Sequence, residues 1–144
     1  MTYSEAHKRV QDMVATQKWL SDFCSTTNPT TALSQLYVAQ LYNGKTVNAK
    51  GYDVLSADGK KIQVKARWWK DKVGGPSGSW IAGTENQADL FVFVGFNKDY
   101  EVLYCLEFDA SKIESYASFI DRRKPNLRTL RITKTLIRNH APVV

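Results

Sequence analysis

Asp53, Gln63, Lys65 and Arg67 are the residues of this chain whose types and spacing could act together. They lie in the run Gly51-Tyr52-Asp53-Val54-Leu55-Ser56-Ala57-Asp58-Gly59-Lys60-Lys61-Ile62-Gln63-Val64-Lys65-Ala66-Arg67. Over residues 60–68 the polar and apolar positions alternate, which is the period of a strand. Alternation puts Ile62, Val64 and Ala66 on one face and Gln63, Lys65 and Arg67 on the other. The second face carries an amide, an ammonium and a guanidinium in a row, a set of donors suited to an anionic group. A carboxylate from Asp53 would make the site a mixed one, provided that Asp53 points the same way.

The turn decides where Asp53 points. Asp58-Gly59 between two alternating runs, 52–56 and 60–68, is a hairpin signal. A two-residue loop at Asp58-Gly59 pairs Val54 with Gln63 and leaves Asp53 on the wrong face. A three-residue loop, Ala57-Asp58-Gly59, pairs Asp53 with Gln63 and needs a glycine in the left-handed conformation at its third position. Gly59 is there, so the spacing predicts one cluster of Asp53, Gln63 and Lys65.

The flanking sequence must build the scaffold. Residues 4–24 read as a helix, with Ser4 as N-cap and Val10, Met13, Val14, Gln17, Leu20 and Cys24 as its stripe. A Ser-Thr-Thr-Asn-Pro cluster ends it. A second helix runs from Thr30 or Thr31 to about Tyr42, with Leu33, Leu36, Tyr37, Gln40 and Leu41 as its inner face, and Asn43-Gly44 stops it. Residues 70–79 read as a charged, Gly-rich loop. Residues 90–96, apolar nearly throughout, predict a central strand covered on both faces. A further strand follows over 100–108. A helix from Ala110 to about Ile120 is capped by Asp109, and the segment 130–137 forms an edge strand or a short helix. This order predicts a single domain over 1–144, of α/β class, with a central mixed β-sheet flanked by helices.

Composition narrows the chemistry. The 144 residues include 20 Lys and Arg against 14 Asp and Glu, a net charge of +6 that points to an anionic partner, most simply nucleic acid. Between Lys112 and His140 eight basic residues face two acids, which accounts for the whole excess. Arg67, Trp69, Lys70 and Lys72 form one basic-aromatic patch, and Arg122, Arg123 and Lys124 a second. Cations meet phosphates and rings stack on bases, so these seven are candidate nucleic-acid contacts. Cys24, Cys105, His7 and His140 have no zinc-ligand spacing, and the cysteines read as core residues. No secretory leader and no membrane-spanning apolar run is evident, so the expectation is a cytoplasmic protein with no membrane partner.

The pattern of an acid on one strand, a hairpin and then x-Lys on the next resembles the PD-(D/E)XK nuclease superfamily, of restriction-endonuclease-like fold. Asp53 matches the first acid, Gln63 stands at the (D/E) position and Lys65 matches the lysine. The resemblance covers about residues 30–120. It implies a metal-dependent endonuclease hydrolysing DNA phosphodiester bonds with Mg²⁺ or Mn²⁺. Asp53 and the Val64 carbonyl would be the metal ligands, and Lys65 would polarise water or stabilise the transition state. Gln35 sits where the family often supplies a glutamate from the preceding helix.

Gln63 and Gln35 replace carboxylates by amides, so the site has one certain acid. Glu85 and Asp89 are the nearest substitutes, with Asp12 and Glu5 behind them. The alternative reading is a catalytically degenerate module of the same fold that holds nucleic acid or a protein partner, a phage or defence-related inhibitor among them. The residues do not choose between DNA and RNA. Cutting both strands calls for two sites, which a homodimer would supply.

Overall fold

The structure is a computed structural model, and it describes residues 1–24, 26–119 and 123–140. Its elements are α1 (Tyr3–Cys24), α2 (Pro29–Leu41), β1 (Lys45–Ala49), β2 (Tyr52–Leu55), β3 (Lys61–Trp68), β4 (Gly75–Ile81), β5 (Leu90–Phe96), β6 (Val102–Asp109), β7 (Ala117–Phe119), β8 (Leu127–Ile132) and α3 (Lys134–His140). Five strands form a mixed sheet in the order β1-β2-β3-β5-β6, in which β3 and β5 run parallel and the other neighbours antiparallel. Three strands form a second, antiparallel sheet in the order β4-β8-β7. The molecule is thus of mixed α/β class.

The hairpin has the register that a three-residue loop requires. Val54 pairs with Ile62 and Leu55 with Lys61, which sets Asp53 opposite Gln63. The loop closes with the Ser56 N–H donating to Lys60 O at 2.9 Å, and Gly59 adopts φ +85°. The Ser56 hydroxyl bonds Asp58 and accepts from the Lys60 N–H at 2.9 Å, which fastens the loop on itself.

The mixed sheet is covered differently on its two faces. One face carries Val54, Ile62, Val64, Val92 and Val94, and α2 packs there through Val38 and Ala39. The other carries Phe91, Phe93, Leu106 and Phe108 and receives Trp80, Leu130 and Ile132 from the second sheet. Sequence reading expects helices on the flanks; on this face the cover is a sheet, with α3 adding Leu136 and Ile137 at its margin. All seven residues of β5 are buried between the two layers, as a two-sided apolar strand must be.

Other local expectations are corrected. The N-cap of α1 is Thr2 rather than Ser4: its hydroxyl accepts from the Glu5 N–H, and the Glu5 carboxylate accepts from the Thr2 N–H, a reciprocal capping box. In α2 the buried residues are Ala32, Ser34, Gln35, Val38 and Ala39, whereas Leu33 is exposed. Small side chains let that helix approach the sheet closely. The Gly-rich segment becomes strand β4, because β8 supplies it with a ladder partner. The helix expected after Asp109 is a single 3-10 turn, Ile113–Tyr116, that leads into β7, although Asp109 does accept from the Ser111 N–H as a cap would. The segment after 126 forms both a strand and a helix, β8 and α3.

Gly59 tests the hairpin directly. A side chain there must take up the left-handed backbone, so Gly59→Ala should lower stability by about 1 kcal/mol in urea unfolding. Gly59→Asn should lose less, because asparagine tolerates that region. Equal stability of all three proteins would contradict the turn.

Candidate functional site at the β2–β3 hairpin

The cluster is built by backbone register. Beyond the Val54–Ile62 pair, the Val64 N–H leaves the ladder and donates to Asp53 Oδ2 at 2.9 Å. The amide nitrogen of Gln63 donates to the same oxygen at 2.8 Å. It also lies 3.5 Å from the Val64 carbonyl oxygen. Lys65 follows on the same face of β3. Asp53, Gln63 and Lys65 are thus brought together, and the Val64 main chain joins them.

The electrostatics show two half-buried charged groups that are partly desolvated. Burial pushes the Asp53 carboxyl above the usual carboxylate range, against the opposing pull of the Val64 N–H and of Lys65. Burial also lowers the proton affinity of the Lys65 amine, and the Asp53 charge opposes that shift. Each group therefore stabilises the charged form of the other. Formally the two charges cancel, so the site holds no standing negative excess for a cation.

The site's oxygens can be matched to a divalent ion. Mg²⁺ and Mn²⁺ favour hard oxygen donors and complete their shell with water or phosphate. Asp53 Oδ2 and the Val64 carbonyl both face the Gln63 amide, and the amide presents its own oxygen if it turns over. These donors fit the ion in type, with a single carboxylate among them. Three of the four substitute acids are engaged elsewhere. Asp89 Oδ2 accepts from the Lys61 N–H at 2.8 Å and Glu85 Oε2 from the Gly83 N–H at 2.7 Å. Glu5 caps α1, and Asp12 is exposed on that helix.

Gln35 does not join the cluster. It is buried on α2, which packs on the Ile62–Val64 face, while Gln63 and Lys65 point to the other face. It makes no hydrogen bond with Asp53, Gln63 or Lys65.

Trp69 is also corrected as a base-stacking residue. It shares the face of Gln63, Lys65 and Arg67, and that face is closed over by the second sheet. Its indole is buried at 5% exposure and donates to the Tyr104 hydroxyl at 2.9 Å, while the Arg67 guanidinium covers the ring at 4.6 Å. Of the adjacent pair Trp68 is the exposed one, with its indole N–H bonded to Lys98 O and its ring 6.4 Å from Tyr100.

The basic candidates form two separate groups. Arg67 donates to Pro76 O at 2.8 Å, and Lys70 and Lys72 are exposed in the segment that leads into β4. Arg123 and Lys124 precede β8, and the antiparallel pairing of Ile81 with Leu127 places them at the far end of β4. Arg122 lies outside the described residues. Arg131, which motif reading passes over, pairs with Pro76 and so belongs to the Arg67 end. Only the β4–β8 register reveals it.

Asp53 has a pH signature. Its carboxyl titrates higher in the folded chain than in the unfolded one, so the folded state holds the proton more tightly. That contribution is complete below the unfolded value and is lost as pH rises through the folded one. Asp53→Asn should remove this loss: the stability difference between variant and wild type should grow in the variant's favour across that interval in pH-resolved urea unfolding. A difference that is flat with pH would contradict the buried carboxylate.

No protein-family model matches the chain, and no curated protein matches it in sequence; the site is therefore defined by its own geometry.

Proposed function

We propose that this protein is a metal-dependent phosphodiester hydrolase acting on DNA, built on a restriction-endonuclease-like core. The observation that carries the reading is the convergence of Asp53, Gln63 and Lys65, with the acid and the amine both desolvated. The order α2, antiparallel β1-β2-β3, then β5 parallel to β3 supports the core assignment. Asp53 and the Val64 carbonyl would hold the ion, with Gln63 contributing its amide oxygen. When bound, Mg²⁺ or Mn²⁺ supplies an activated water and offsets charge on the phosphate. Lys65, less basic than a surface lysine, donates hydrogen bonds to a phosphate oxygen as its charge grows. Arg67, Lys70, Lys72 and Arg131 steer and seat the flanking backbone.

One observation favours a second reading, a module that holds nucleic acid without cutting it. The Gln63 amide already satisfies Asp53 Oδ2 with an N–H, which a metal-binding glutamate could not do.

The test incubates supercoiled plasmid with Mg²⁺ or Mn²⁺ and the wild type, Asp53→Ala, Lys65→Ala or Gln63→Glu. The hydrolase reading expects nicking by the wild type, a loss of about 100-fold or more in each alanine variant, and an equal or faster rate in Gln63→Glu. Cleavage that survives both alanine substitutions contradicts the assignment. Retention of DNA without cleavage, weakened by salt, supports the second reading.

A further inference from the structure

Lys65 is the amine on which the proposed chemistry rests, and a four-carbon stem does not fix its own direction. The strand that crosses it does. A Cβ placed on Gly78 would lie 2.4, 2.7 and 2.8 Å from Lys65 Cβ, Cγ and Cδ, closer than carbon atoms approach. The stem therefore lies directly against the β4 main chain, in space that any other residue at 78 would fill. Gly78 has no positive φ, so the glycine is required by the close approach and not by the backbone.

The ladder around Gly78 is unusual in the same place. β4 pairs regularly with β8 at Gly75–Pro76 and again from Ser79 onward, with a register shift between Pro76 and Ser79. Ser77 and Gly78 sit within that irregularity. The Thr129 hydroxyl of β8 lies 3.3 Å from Ser77 O and 3.2 Å from Gly78 O, and donates where the ladder is interrupted. Thr129 is 2% exposed, so this hydroxyl has little water to turn to. On the other side Arg67 ties Pro76 O to β3 at 2.8 Å. The bulged stretch of β4 is thus anchored from both sheets, directly over Lys65. Bulges re-aim neighbouring groups in this way beside functional sites.

We propose that Gly78 and Thr129 are positioning residues for Lys65: the missing side chain at 78 admits the lysine stem, and the Thr129 hydroxyl holds the bulged strand against it so that the amine stays beside Asp53. The proposal rests on the reading of Lys65 as the working amine, but its test does not require cleavage. A methyl at 78 has no room between stem and strand, so it turns the stem outward to water. Removing the Thr129 hydroxyl frees the bulge and loosens the same contact with less disturbance.

The experiment is limited acylation of the intact protein with an anhydride at one pH, with the modification of each lysine quantified by mass spectrometry and that of Lys65 expressed relative to the exposed Lys70 and Lys72. The wild type should label Lys65 far less than either, because its stem is covered by β4. Gly78→Ala should raise the relative labelling of Lys65 several-fold, with Lys61 on the same strand unchanged. Thr129→Val, closely similar in shape, should raise it by less, with circular dichroism unchanged. If Gly78→Ala does not fold, Thr129→Val decides alone. A folded Thr129→Val with the wild-type labelling of Lys65 overturns the proposal. A wild type that never cuts plasmid, yet shows these changes, overturns the hydrolase reading and leaves the positioning intact.

Discussion

Asp53 Oδ2 receives two N–H bonds, one from the Val64 backbone and one from the Gln63 amide, while Lys65 on the same face faces its charge. A carboxylate taken out of water costs several kcal/mol unless it is paired and hydrogen-bonded. The hydrogen bonds come here from residues of one hairpin, with the Lys65 charge on the same face, and only in one register. A slip of one residue would turn Gln63 and Lys65 toward α2 and expose Ile62 and Val64. The closed Ala57–Gly59 loop, with Gly59 at φ +85°, therefore does more than reverse the chain. It determines whether the acid, the amide and the amine meet at all.

The second sheet follows from the same constraint. The polar row on β3 continues into Trp69, and its neighbours on β5 are Phe91 and Phe93. A face that mixes two half-buried groups of opposite charge with large aromatic rings needs a cover that is apolar in one part and thin in another. β4 provides both, with Trp80 set against Phe91 and Phe93 and Gly78 set against the Lys65 stem. β8 holds that strand in place and brings the basic residue Arg131 to the same end as Arg67. The charge excess of the tail is thereby split. One part joins the hairpin, and the part around Arg123 and Lys124 lies a strand's length away.

The hairpin was legible because its determinants are local: alternation sets the faces and one obligatory glycine sets the loop. β5 was legible because an unbroken apolar run has few other fates. β4 was not, since Gly75-Pro76-Ser77-Gly78-Ser79 has no periodicity and is a strand only because β8 pairs with it. The burial of Trp69 is hidden from the sequence for a related reason. Parity along β3 puts it on the polar face, but only the tertiary fold shows that this face is roofed. In α2 the leucines set the sequence pattern, whereas burial falls on Ala32, Ser34, Val38 and Ala39. Gln35 went inside with them and away from the site. The charge balance of the cluster is legible in the sequence, because Gln63 differs from a glutamate by one unit of charge. Its consequence needed the geometry, in which the amide N–H occupies the approach to both Asp53 Oδ2 and the Val64 carbonyl.

A neutral cluster with one carboxylate should take up a divalent ion only together with the phosphate that completes its shell. Calorimetric titration of Mn²⁺ into the protein, with and without a short DNA duplex, tests this most directly. The expected result is negligible binding to the protein alone, clear binding in the presence of DNA beyond that of DNA itself, and loss of that increment in Asp53→Ala. Mn²⁺ binding of equal strength without DNA, or an increment that persists in Asp53→Ala, would contradict it.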